Sequence, residues 1–189
     1  MFPQLETERL ILRELTQADA ADVFACFSNA QVTRYYGQEP FESIEQAVKL
    51  IGLFASNYEN KRGIRWGIER KEVPGLIGTI GFNALVLPHR RAEIGYELHP
   101  QHWRSGYASE AIRCVAAHGF DTLGLARIGA VVFPENEASN TLLKKLGFQH
   151  EGVLRDYMVQ GGRSYSTNVY SLLRDRIGSL SSILALFHP

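Results

Sequence analysis

Two carboxylates, Glu93 and Glu97, stand close together in the segment EIGYELHPQHWRSGYAS. Side chains alternate along an extended chain, so Glu93, Gly95 and Glu97 share one face and Ile94, Tyr96 and Leu98 the other. Carboxylates so placed can take a proton from a nucleophile. A solvent-facing strand would show the same pattern with no chemistry. The loop downstream breaks the tie. Gly106 sits where a helix should begin, so consecutive backbone N–H groups around it lack an intrahelical acceptor. The positive end of the helix dipole points the same way, which makes the turn a seat for an anion. It is not a Walker loop, because no Gly-Lys-Ser or Gly-Lys-Thr follows, and no GxGxxG occurs. A pyrophosphate seat paired with an acid/base group is the strongest pointer to function in the chain.

Other chemistries fare worse. His99 and His102 (HPQH) lack a third ligand nearby, and Pro100 breaks the helix that paired histidines rely on, so no metal is expected. His118 and His150 read as surface or core-edge residues. A serine nucleophile would need a GxSxG elbow, and Ser164 lies in a turn instead. Cys26 in FACF and Cys114 in AIRCVAA read as two buried free thiols, too few for a structural zinc site. Twenty basic and twenty acidic side chains cancel, which leaves no global basic field for non-specific nucleic-acid binding. The start, MFPQLETERL, lacks the basic and apolar regions of a signal peptide, and no apolar run approaches the ~18 residues of a membrane span. A reduced, cytoplasmic protein with no membrane and no direct nucleic-acid partner is expected.

These residues must be positioned by a fold. With 189 residues, 45% of them hydrophobic, the chain suits one well-buried core. Residues 9–13 (RLILR) predict a first strand. Thr16 with Asp19, and Ser43 with Gln46, look like capping boxes. Ala20, Val23, Phe24 and Phe27 then line one helical face, and Ala47, Leu50, Ile51 and Phe54 another. Strands are predicted at 64–69 and 76–83 around Pro74-Gly75, and at 93–98. A helix over 107–121 buries Ala108, Ala111, Ile112, Val115 and Gly119. Residues 127–133 (RIGAVVF) read as a strand buried on both faces. A helix over 136–145 enters through Pro134 and closes on Gly147. Strands at 153–159 and 165–173 flank Gly161-Gly162. Helices in the middle of a strand series argue a mixed sheet in one α/β (α+β) domain. After Asp175, Ile177, Leu180, Leu184 and Phe187 fall on one helical stripe, predicted to pack on this domain or on a second subunit as a homodimer.

In their order, EIGYELHP, WRSGYASEAI, RIGAVVFPENEASNTLLKKLGF and EGVLRDY resemble the GNAT N-acetyltransferase superfamily. They are most similar to its RimJ/RimL-type branch, named for enzymes that acetylate the N-terminal amine of ribosomal proteins. The resemblance covers about residues 7–174 and implies a GNAT domain there, with a helical tail over 175–189. It implies a mixed central sheet of about seven strands flanked by helices, and acetyl-CoA as cosubstrate without a metal. By the same resemblance the backbone of Arg104, Ser105, Gly106, Tyr107, Ala108 and Ser109 holds the CoA pyrophosphate, and the edge of Leu98 pairs with the pantetheine arm. Asn136 and Ser139 match the branch's Asn-x-x-Ser near the pantetheine and the sulfur; Asn136 would serve equally as a helix cap. The branch often reads Trp-Gly-Lys-Gly where this chain has Trp103-Arg104-Ser105-Gly106. Arg104 tolerates positive φ less well than glycine but brings a permanent cation to a phosphate site. Matching by position favours Glu93 as the base, acting through water, with Glu97 second and Ser139 as hydrogen-bond donor to the leaving thiolate.

The implied reaction is direct attack of a primary amine on the thioester in a ternary complex. An α-amine has a pKa near ~8 and a lysine amine near ~10.4, so lysine costs about 3 kcal/mol more to deprotonate. A modest carboxylate base therefore suits an α-amine, and a protein N-terminus is the expected acceptor. The alternatives are a small-molecule amine (polyamine, amino acid or antibiotic) and a non-catalytic acyl-CoA-binding protein. The carboxylate strand together with Ser139 tells against the last. Tyr157 reads either as lining the acceptor groove or as an ordinary strand aromatic.

Overall fold

A computed structural model describes residues 1–176. Its strands are β1 (Leu5–Glu6), β2 (Leu10–Glu14), β3 (Ile64–Arg70), β4 (Val73–Val86), β5 (Arg91–Leu98), β6 (Arg127–Val132), β7 (Gln149–Gln160) and β8 (Arg163–Leu173). They form one sheet in the order β1-β2-β3-β4-β5-β6-β8-β7. The sheet is mixed, as expected, with eight strands rather than about seven. The addition is β1, a two-residue strip paired antiparallel to β2 and too short to carry a pattern.

Both capping boxes form. Thr16 and Asp19 cap each other's backbone ahead of α1 (Ala20–Phe27), and Ser43 and Gln46 do the same at α3 (Ile44–Glu59). Asp19 also receives both ends of the Arg13 guanidinium, at 2.8 and 3.0 Å, which ties the start of α1 to β2. Between the two helices lies α2 (Ala30–Thr33), a single turn capped by Asn29, which sequence periodicity cannot reveal. Val23, Phe27, Ala47 and Ile51 form a cluster on one side of the sheet. On the other side α4 (Tyr107–Asp121) packs Ala111, Ile112, Val115 and Phe120 against Trp66, Ile80 and Phe82. Cys26 is buried, whereas Cys114 on α4 is only half-buried, a correction to the expected pair of buried thiols; both are free. No helix among the described residues is long and apolar enough to cross a membrane. The apolar stripe from Ile177 to Phe187 lies outside the described residues.

One pairing shapes the site. β5 and β6 run parallel, but their register holds only for Arg91↔Arg127, Ala92↔Ile128 and Glu93↔Gly129. Past that point β5 continues with β4 as far as Leu98, and β6 with β8 as far as Val132. The sheet therefore parts into two halves with Glu93 at the vertex. Among the described residues, 94–98 have no strand partner on the parted side.

Candidate active site

The parting opens a cleft of about 1030 Å³, lined by β5, the loop before α4, the start of α5 (Glu137–Lys145) and Tyr157 of β7. At its lower end Arg104 and Gly106 both adopt left-handed backbone, with φ of 59° and 81°. For Gly106 this conformation is free; for Arg104 it costs about 1–2 kcal/mol. The first helical bond of α4 runs from the Glu110 N–H to Gly106 O at 3.1 Å, so the N–H groups of residues 104–109 lack an intrahelical acceptor. Arg9, the residue before β2, braces this turn. Its Nη1 donates to Ser105 O at 3.0 Å, its Nε to Glu110 at 2.7 Å, and its guanidinium lies 4.6 Å from the Tyr107 ring centre. Burial raises the pKa of Glu110, but hydrogen bonds from Thr7 and Arg9 outweigh it and hold the carboxyl below its usual range. The Trp103 indole N–H donates to Leu98 O at 2.7 Å, fixing the loop to the end of β5. Leu98 thus has its carbonyl occupied, and the open edge lies between it and Glu93. A row of N–H groups without intrahelical acceptors, a nearby Arg104 cation and a strand edge left open among the described residues fit a pyrophosphate bearing an amide-rich arm.

The two carboxylates have different fates. Glu93 lines the cleft and, among the described residues, bears no hydrogen bond or ion pair. Glu97 is 5% exposed and ion-paired with Arg65, itself 4% exposed. Its other oxygen accepts from the Thr79 hydroxyl. Arg65 also donates to Thr79 Oγ1 at 2.7 Å, Gly95 O at 3.0 Å and Tyr36 OH at 3.3 Å. The guanidinium reaches β5 from β3 by crossing β4 over Gly81 and Gly95, which face each other in the register. A Cβ at Gly81 would lie 2.9 Å from Arg65 Cδ, and one at Gly95 3.2 Å from Nη1. Sequence alternation put both carboxylates on one face, but nothing local announced the arginine that claims Glu97.

On α5, Asn136 accepts from the Ser139 N–H at 3.2 Å, so it is the helix cap as well as a cleft residue. Asn140 fixes the turn before it, donating to Phe133 O at 2.9 Å and accepting from Tyr170 OH at 2.7 Å. The Ser139 hydroxyl meets the Tyr96 hydroxyl at 2.7 Å across the gap between β5 and α5. Burial pushes Tyr96 up to about 12, with the serine bond working the other way. Sequence reasoning singled out neither Arg65, Asn140 nor Tyr96. Only Tyr96 left a signal, as the polar residue on the otherwise apolar face of its strand. On the opposite wall Gln160 joins the hairpin to the α2 loop, donating to Thr33 O at 3.0 Å and accepting from the Gly37 N–H at 3.1 Å. Among the described residues no three His, Cys, Asp or Glu side chains could hold a metal ion.

A family model for the acetyltransferase (GNAT) domain matches residues 9–149. The chain is 65% identical over 176 residues to the uncharacterized N-acetyltransferase YoaA of Bacillus subtilis strain 168, covering 93% of this chain and 99% of that one. A solved structure called a ribosomal-protein-serine acetyltransferase, from Vibrio cholerae, matches with a TM-score of 0.80 at 25% identity, over 92% of this chain and 99% of its own. A spermidine N-acetyltransferase from Vibrio cholerae, in complex with CoA and spermine, matches with a TM-score of 0.78 at 25% identity, over 94% and 99%.

Proposed function

This chain belongs to the GNAT acetyltransferase family and is an acetyl-CoA-dependent N-acetyltransferase; from that premise we propose that its acceptor is the α-amine of a protein N-terminus. The observation that carries the reading is Glu93, a carboxylate without an ion pair among the described residues, at the vertex where β5 and β6 part. Glu93 takes the amine proton through a water, the amine attacks the thioester carbonyl, and the C–S bond breaks as the C–N bond forms. The N–H groups of residues 104–109 hold the pyrophosphate, with Arg104 adding charge. Asn136 orients the pantetheine arm, and Ser139 donates a hydrogen bond to the departing thiolate. Glu97 has no part in proton transfer, since Arg65 and Thr79 engage both its oxygens. One modest base matches an amine of pKa near ~8 better than one near ~10.4.

The spermine bound in the similar Vibrio cholerae enzyme supports a second reading, in which a polyamine is the acceptor. Release of the CoA thiol separates the two. A peptide with a free N-terminal Ala or Ser should react with higher kcat/KM than one whose only amine is lysine. Spermine turned over faster than every peptide would move the protein to the polyamine reading.

A further inference from the structure

We propose that Tyr96 is a positioning residue for departure of the thiolate: its phenol donates to the Ser139 hydroxyl and leaves the serine proton directed at the sulfur. This rests on the reading that Ser139 lies beside the sulfur. The two oxygens are 2.7 Å apart, and either could donate. Acidity chooses the direction. A phenol, with a pKa near ~10, is a far stronger donor than an aliphatic hydroxyl, so the favoured arrangement runs from Tyr96 to Ser139. Among the described residues neither hydroxyl has another side-chain partner, so a Ser139 that accepts from Tyr96 keeps its own proton free for the cleft. A donor that is itself accepting a hydrogen bond is the stronger for it.

The backbone holds both ends. Tyr96 is in register with Ile80 in the middle of the β4–β5 ladder. Ser139 is the residue whose N–H is capped by Asn136, in a turn that Asn140 ties down from both sides. The hydroxyl pair thus joins β5 to the start of α5 across the cleft. Tyr96 orients but does not supply the proton. Burial raises its phenol to about 12, so handing a proton to a thiolate, whose thiol has a pKa near ~8.5, would run uphill by a factor of ~10³ or more. The balance closes without it. The amine loses its proton to Glu93 through water, the thiolate leaves with the C–S electron pair and takes a proton from solvent, and Tyr96 and Ser139 keep theirs.

The test reads the thiol of bound CoA, whose ionisation is followed by thiolate absorbance against pH with no acceptor present. In the unaltered protein the bound thiol should titrate below free CoA. Tyr96→Phe keeps the ring and should weaken the bound thiol's acidity about three- to tenfold. Ser139→Ala should weaken it by at least as much, and the double variant no further. In turnover with any accepted amine, Tyr96→Phe should lower kcat by a similar factor while KM for acetyl-CoA stays put. A shift from Ser139→Ala with none from Tyr96→Phe overturns this proposal alone. Equal Tyr96→Phe effects with and without Ser139 overturn it as well, because the phenol then acts elsewhere. No shift from Ser139→Ala overturns both it and the reading on which it rests.

Discussion

Glu93→Gln and Glu97→Gln are expected to separate chemistry from stability. Glu97→Gln leaves the Arg65 guanidinium buried without a countercharge, which should destabilise the fold by about 3–5 kcal/mol in denaturant unfolding. Glu93→Gln removes a cleft carboxylate without an ion pair among the described residues and should stay within ~0.5 kcal/mol. Its cost appears in kcat/KM, with loss of the acidic limb of the pH profile and unchanged affinity for CoA. The opposite outcome, a folded and inactive Glu97 variant beside an active Glu93 variant, would reverse the assignment. The alternation of a strand was enough to place both carboxylates on one face. It could not rank them, because the partner of Glu97 arrives from β3, made possible by glycines on β4 and β5. The same limit applied to Tyr96, a polar residue on an apolar strand face, whose partner is a serine brought from α5.

Helices were the legible elements, since caps and apolar stripes are local. Thr16 with Asp19 and Ser43 with Gln46 name their own helix starts, and α4 spans the residues its periodicity predicts. The one-turn α2 and the two-residue β1 offer no period to read; the Asn29 cap starts the first and pairing with β2 holds the second. Packing of α4 on the sheet yields a pH prediction. His118 sets its ring edge-on to Trp66, 5.6 Å between centres, and its buried Nε2 has no hydrogen-bond partner among the described residues. Burial depresses its pKa from the ordinary 6.5. The unfolded chain therefore takes up a proton first as pH falls, so stability is full above ~6.5 and declines between there and the lower folded value. His118→Gln should flatten that part of the stability–pH curve, measured as denaturation midpoint from about pH 7 to pH 5. An unaltered slope would mean that the ring is protonated without penalty in the folded state.

At the scale of the whole molecule, the parting of β5 from β6 was not readable from composition or periodicity, because a strand does not encode where its ladder stops. The mixed sheet flanked by helices came with the family resemblance; the strand order and the vertex at Glu93 and Gly129 came from the pairing and its register. That geometry makes the ligand a structural bridge. A CoA seated between β5, the α4 turn and α5 touches both halves of the sheet, and it binds the native state alone. At a hundredfold excess over Kd it should add about 2.7 kcal/mol. For a chain of this size that is a rise in Tm of ~5–10 °C. Gly106→Glu should remove the rise, because a carboxylate would stand among the N–H groups that receive the phosphates. The φ of 81° at Gly106, with Arg9 Nη2 3.2 Å from where a Cβ would lie, lowers the starting Tm of that variant too. Gly106→Asn controls for this, since asparagine tolerates the left-handed conformation and adds no charge. It should keep most of the acetyl-CoA shift while Gly106→Glu keeps none. Equal shifts in both variants would place the pyrophosphate somewhere other than the turn before α4.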